Sequence, residues 1–198
     1  MINKVLIFAA SRQPFVFLRG LLHRSIIAAT YFDIRATIVG PGIKIMPGTR
    51  IFHRVTIKAY SYIGYGCLVS PGTVVGRYAS VGNKVILGGG DHGKGSTVLS
   101  SKLSGSRFER RNAKQSTIIG EDCWLGNGCI VRSDVSLGRG SIIGMGAVVL
   151  CSTEPYSVYV GVPAKKKETR LTQEEIQQVE NSKWWELAPA TATKMLNK

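Results

Sequence analysis

From Val39 onward the large apolar residues recur at every sixth position: Ile45, Ile51, Ile57, Ile63, Val69, Val75, Val81 and Leu87. The same register returns at Ile119, Leu125, Val131, Leu137, Ile143 and Val149, again only with Ile, Val or Leu. An amphipathic helix would space such residues by three and four, and a half-buried strand would alternate them by two. The next residue is often glycine, as at Gly64, Gly82, Gly126 and Gly144, and the fourth after it is small or β-branched, as at Ser61, Cys67, Thr73 and Ala79. A period of six with glycine punctuation fits short strands separated by tight turns. Each turn needs a residue that tolerates positive φ or a close backbone approach. Three such units close a triangular coil, and stacked coils make a parallel β-helix in which each coil buries its neighbour's apolar face. Cys67, Cys123 and Cys129 occupy the small inward position and read as packing residues, while Cys151 falls just past the last step.

The rhythm breaks once. The 32 residues from Leu87 to Ile119 are not a multiple of six, so the coil stack carries an excursion, residues 88–117, rich in Gly, Ser, Lys and Arg. Long segments of this kind without structure of their own are usually functional or disordered. The chain therefore divides into an N-terminal part, 1–36, a hexad-repeat part, 37–154, and a C-terminal part, 155–198. Over residues 12–29 the spacing of Phe15, Leu18, Leu22, Ile26 and Ala29 predicts a helix, with Pro14 in its first turn. Such a helix would cap the open end of the stack or, as a basic amphipathic helix, touch an anionic membrane surface. A second helix is predicted from "LTQEEI", where Thr172 and Glu175 form a capping box, running to about "KWWEL" at 183–187. Trp184 and Trp185 are expected to pack on the body or on a neighbouring subunit.

Composition narrows the class of partner. The 198 residues carry a net charge of +14, and the excess is uneven: +4 over 1–36, +6 over 37–90, +4 over 91–117, −2 over 118–154 and +2 over 155–198. A basic field over the first two thirds favours an anionic partner. Nucleic acid is not expected, because no binding motif appears and the cations do not interleave with aromatics. No signal peptide is recognisable, no apolar run approaches a membrane span, and the cysteines form no CxxC pair, which suits reduced thiols and a cytoplasmic location, with the inner membrane face as a place of peripheral contact.

The segments "CWLGNGCIV" (123–131), "GMGAVV" (144–149) and "GVPAKK" (161–166), with "GGGDHGKGST" in the excursion and "RLTQEEIQQVENSKWWEL" after the repeat, carry a family resemblance. The chain resembles the hexapeptide-repeat acyltransferases, and within them the xenobiotic acetyltransferase subgroup, which includes chloramphenicol and streptogramin acetyltransferases and related sugar O-acetyltransferases. The likeness covers roughly residues 37–187. It implies an all-β, left-handed parallel β-helix with an N-terminal helix, a protruding active-site loop and a C-terminal helix. It also implies a homotrimer, with acetyl-CoA held in a groove between adjacent subunits.

In that subgroup the loop histidine is the catalytic base, which here matches His92. The chemistry agrees, since acetyl transfer to a hydroxyl needs a group that takes a proton near neutral pH. Asp91 either orients the ring or serves as a turn residue. Trp124, Asn127 and Met145 match positions along the cofactor groove, the last two through backbone groups. Lys165 matches a basic residue near the nucleotide end, with Lys166 beside it. The chain departs from the pattern at Leu150–Cys151, where many relatives carry Thr-Lys. No metal is implied: a zinc site would need about three histidines at repeat-related spacing, which His23, His53 and His92 do not supply. The expected activity is acetyl transfer from acetyl-CoA to a hydroxyl of a saccharide, anionic or lipid-linked, in polysaccharide or lipopolysaccharide assembly. The rival is a drug-modifying acetyltransferase with the same chemistry.

Overall fold

The structure is a computed structural model that describes residues 18–19, 26–27, 29–33, 35–89 and 116–196. Most of its strands are only two or three residues long, and they stack into three parallel sheets that form the faces of a triangular prism. The first face carries Lys44–Ile45, Tyr62–Ile63, Ser80–Val81, Trp124–Leu125 and Ile142–Ile143 in order. The second carries Tyr31–Phe32, Arg50–Ile51, Leu68–Val69, Ile86–Gly89, Ile130–Arg132 and Val148–Val149. The third carries Thr37–Val39, Thr56–Lys58, Val74–Val75, Ile118–Ile119 and Ser136–Leu137. This is the parallel β-helix that the period of six predicts.

Hydrogen-bonded neighbours are 18 residues apart in the uninterrupted coils and 44 apart across the excursion, so the excursion adds 26 residues without disturbing the stack. The repeat positions from Ile45 to Val149 are buried, and so is the small inward residue between them. Its polar members are satisfied locally: the Thr49 hydroxyl donates to the Gly64 carbonyl at 2.7 Å and accepts from the Cys67 N–H at 3.1 Å, and Ser141 donates to the Gly138 carbonyl at 2.6 Å. Polar groups can line so narrow a core because each coil offers a corner carbonyl within reach.

The first step of the rhythm is displaced. Ile38, not Val39, lies opposite Ile57 across the third face, and Val39 is 45% exposed. The three-residue strand Thr37–Val39 shifts the inward position back by one, so the six-residue register holds from Ile45 onward.

The corners separate two needs that the sequence pattern leaves together. Positive φ falls three residues after the buried aliphatic, at Gly66 (φ 65°) as well as at Tyr60, Tyr78 and Lys84. The glycine one residue after the aliphatic answers to crowding instead: a Cβ on Gly126 would stand 2.6 Å from the Met145 amide nitrogen of the next coil.

The N-terminal segment differs from expectation. Its described residues are strands, Leu18–Arg19 pairing antiparallel with Ile26–Ile27, and Ile26–Ile27 pairing parallel with Lys44–Ile45. The open end of the stack presents unpaired backbone groups along Lys44–Ile45, and an added strand satisfies them where a helix could not. The rest of the predicted helix lies outside the described residues.

At the other end Ser157–Val160 continues the first face, and Lys165–Thr169 turns back antiparallel along it. Helix α1 (Gln173–Ser182) opens with the predicted capping box, Glu175 N–H donating to Thr172 Oγ1 and Thr172 N–H to the Glu175 carboxylate. Lys183 in the left-handed region ends it, a short 3-10 turn at Trp184–Glu186 follows, and helix α2 (Pro189–Leu196) closes the described chain. This segment docks on the corner between the third and first faces. Arg77 donates to the carbonyls of Trp185 (2.6 Å), Glu186 (3.2 Å) and Leu187 (3.1 Å), and the Tyr78 hydroxyl donates to Leu187 (2.7 Å). Arg139 lies 3.8 Å over the Trp185 ring and reaches Glu180, which also accepts from the Tyr156 hydroxyl at 2.6 Å. Both tryptophans thus pack on the body of the same chain, Trp185 being buried.

Two expectations follow. Ile57→Ala should cost about 3 kcal/mol in urea unfolding, while Val39→Ala should cost under about 0.5 kcal/mol; equal losses would contradict the displaced register. Partial burial of Glu180 works against its charge, but the Tyr156 hydroxyl and Arg139 outweigh it and hold the carboxyl below its ordinary 4.5. A depressed folded value means that this contribution is full above 4.5 and is lost as pH falls through the folded value. Acidification below 4.5 should therefore red-shift tryptophan emission as Trp185 leaves its site, and Glu180→Gln should flatten that transition at a cost of about 1 kcal/mol. An unchanged acid profile in the variant would contradict the assignment.

Candidate active site

Functional surface on a β-helix is confined to its faces and corners, because everything inward is packed. The corner between the first and second faces forms a column of successive coils. Asn83 Oδ1 accepts the Tyr65 N–H at 3.0 Å, Asn127 Oδ1 accepts the Asn83 N–H at 2.8 Å, and the Asn127 carbonyl accepts the Gly146 N–H at 2.9 Å. The two asparagines satisfy corner amides that no strand can reach, which stiffens the column. Met145 follows in the next coil and is 77% exposed. Beyond it comes Val160, whose side chain would lie 2.9 Å from a Cβ on Gly144. Val162 is 72% exposed, and Trp124, on the first face beside this column, is 54% exposed.

The structure therefore brings Trp124, Asn127 and Met145 to one edge of the prism. Lys165 lies opposite Val160 on the antiparallel strand, and so at the far end of the same edge. Lys166 lies one residue on, opposite Tyr159, and its ammonium donates to Glu154 at 2.6 Å. The run of lysines is an exposed edge strand, which guards the sheet against further pairing. An exposed apolar strip with cations at one end suits a long ligand that is apolar along its length and anionic at its tip.

Among the described residues, the edge holds no histidine. Cys123 and Cys129 lie beneath it, but burial pushes both thiols up to about 12, so neither is a nucleophile. Cys151 is exposed, beside the half-exposed Leu150, at the end of the last full coil. His92 and Asp91 lie outside the described residues, as does His23. The chain leaves the second face after Gly89, at the edge opposite the asparagine column, and returns to the third face at Ile118–Ile119. His53 is on the corner by that exit, its carbonyl accepting the Gly72 N–H. Among the described residues no group of three potential metal ligands occurs, and no helix is long and apolar enough to cross a membrane.

Sequence reasoning missed Asn83, whose signal was its place one coil before Asn127. It also missed Arg77 and Tyr78, whose partners lie more than a hundred residues away. Helix α2 was also missed, although Pro189 suits a first turn.

Residues 116–151 match the family described as bacterial transferase hexapeptide (six repeats). A protein described as a "Probable macrolide acetyltransferase" from Lysinibacillus sphaericus is 31% identical over 122 residues, covering 57% of this chain and 68% of the relative. A chloramphenicol acetyltransferase from Klebsiella aerogenes is 39% identical over 69 residues, covering 35% of this chain but only 33% of the relative. The chain belongs to the hexapeptide-repeat acetyltransferases.

Two solved structures share the fold. The AntD N-acyltransferase of Bacillus cereus, in complex with dTDP and coenzyme A, aligns with a TM-score of 0.63 at 19% identity, covering 83% of this chain and 92% of that one. PerB of Caulobacter crescentus, in complex with CoA and GDP-perosamine, aligns with a TM-score of 0.57 at 22% identity, covering 75% and 59%.

Proposed function

We propose that this chain transfers an acetyl group from acetyl-CoA to a hydroxyl of a saccharide, with His92 as the base. The observation that carries the reading is the stiffened edge of Trp124, Asn127 and Met145, ending at Lys165 and Lys166. Its exposed apolar strip fits the pantetheine arm, and the lysines fit the phosphates of the nucleotide end. Acetyl-CoA supplies the activated acyl group, and the chain's residues align it and manage the proton. His92 takes the acceptor proton, and Asp91 orients its ring.

The placing of the two halves supports assembly between copies. Gly89 and the asparagine column lie at opposite edges of the second face. In sequence His92 comes three residues after Gly89, the last described residue as the chain enters the excursion. A second chain around a closed axis brings the edge of one copy to the loop of the next, and a homotrimer does this three times. A saccharide acceptor is supported by the basic first two thirds of the chain and by the sugar and nucleotide ligands of PerB and AntD. Polysaccharide or lipopolysaccharide assembly is the setting this suggests, on the cytoplasmic side of the membrane. The macrolide and chloramphenicol acetyltransferase relatives favour a second reading, a drug acceptor handled by the same base and edge.

Acetyl-CoA consumption measured against nucleotide sugars, oligosaccharides, chloramphenicol and a macrolide separates the two. Turnover is expected with a saccharide and should fall about a hundredfold or more in His92→Ala. Turnover with the drugs alone would favour the second reading. Full activity of the variant would remove His92 from the chemistry.

A further inference from the structure

Among the described residues, a groove of about 780 Å³ lies between the first face and the docked C-terminal segment, lined by Gly42, Lys44, Tyr60, Tyr62, Tyr78 and Pro189. It is at the corner opposite the asparagine column and plays no part in the transfer described above. Two of its aromatics are already engaged. Tyr60 and Tyr78 stack at 5.0 Å, the Arg77 guanidinium lies 5.2 Å from the Tyr60 ring, and the Tyr78 hydroxyl is bonded to Leu187. Tyr62 and Lys44 are different. They are register partners on adjacent parallel strands, and each points outward while its neighbour, Ile63 or Ile45, is buried. The Lys44 ammonium has no carboxylate partner among the described residues, whereas Lys58 and Lys166 are both paired. The Tyr62 ring and hydroxyl likewise have no partner there. Arg77 lies over the Tyr60 ring and is engaged by carbonyls of the C-terminal segment.

We propose that this groove binds an anionic saccharide, with one pyranose ring on the face of Tyr62 and its carboxylate on Lys44. A pyranose presents an apolar face of C–H groups and a rim of hydroxyls, which matches a tyrosine whose ring and hydroxyl are unengaged among the described residues. A single ammonium meets an anion as a point charge, and a uronic-acid unit is a ligand that carries such an anion directly on an apolar-faced pyranose. Their strands are neighbours, about 5 Å apart, so both side chains leave the sheet within the reach of one sugar unit. From Tyr62 the first face runs through Ser80 to Trp124, two strands or about 10 Å further on. A bound chain of sugars can therefore extend from the groove toward the candidate edge, and the groove acts as a holding site away from the reacting group. The inference goes beyond the transferase reading, and binding alone tests it, so the failure of one is distinguishable from the failure of the other.

The experiment is titration of the full chain with tetragalacturonate, followed by calorimetry and by amide chemical shifts. Saturable binding is expected, with shifts at residues 41–44, 60–62 and 188–190. Lys44→Gln and Tyr62→Ala, both outward-facing, should each weaken it by about tenfold. Maltotetraose, of similar size and uncharged, should bind no better than Lys44→Gln binds tetragalacturonate. Absence of saturable binding, unaltered affinity in both variants, or equal affinity for maltotetraose would overturn the proposal. Displacement of tetragalacturonate by an equal concentration of uridine monophosphate would overturn the saccharide assignment.

Discussion

The whole molecule depends on one interaction, the covering of each coil's inward aliphatics by those of the next coil, 18 residues away. Strands of two or three residues have no independent stability, and one coil alone would leave its apolar side against water. Only in register does each Ile, Val or Leu meet its counterpart, as Ile45 meets Ile63 and Ile63 meets Val81. That demand fixes the composition of the interior and leaves no inward position for chemistry. Even the polar inward residues, Thr49, Ser61 and Ser141, spend their hydroxyls on corner carbonyls.

What remains for function is the outside of a prism, and the prism divides it sharply. One corner carries the asparagine column and the exposed apolar strip. The next carries the exit of the excursion. The third is taken by the C-terminal segment, held by Arg77, Tyr78 and Arg139. The coils on either side of the excursion pair directly, Val74–Val75 with Ile118–Ile119 and Ser80–Val81 with Trp124–Leu125. The stack thus keeps its pairing across a long insertion. A site that uses both the strip and the excursion has its halves on two corners of one chain.

The repeat was legible because its determinant is local: one aliphatic in six, with a small residue four positions later, suffices to define the buried rungs. It failed at the ends, where the determinant is not local. The apolar spacing around Leu18, Leu22 and Ile26 reads as a helix, but the open sheet edge at Lys44–Ile45 recruits Ile26–Ile27 as a strand. At Val39 the aliphatic is right and the register is off by one, because the first coil has no preceding coil to impose it. Trp124, Asn127 and Met145 stand in separate motifs along the chain, and the coil period is what brings them to one edge. Arg77 and Tyr78 could not be found, since an arginine that binds three carbonyls leaves no spacing signal. Lys165–Lys167 begin an exposed edge strand, in which Lys166 pairs with Glu154.

The central claim is that the apolar edge of one copy works with the loop of another. Its most direct test is complementation between two inactive variants, His92→Ala and Met145→Glu, expressed together. If sites form between copies, about a quarter of random interfaces join an intact loop to an intact edge, and activity returns to about that fraction of wild type. If each chain builds its own site, every site in the mixture carries one lesion and the mixture stays inactive, which would contradict the account.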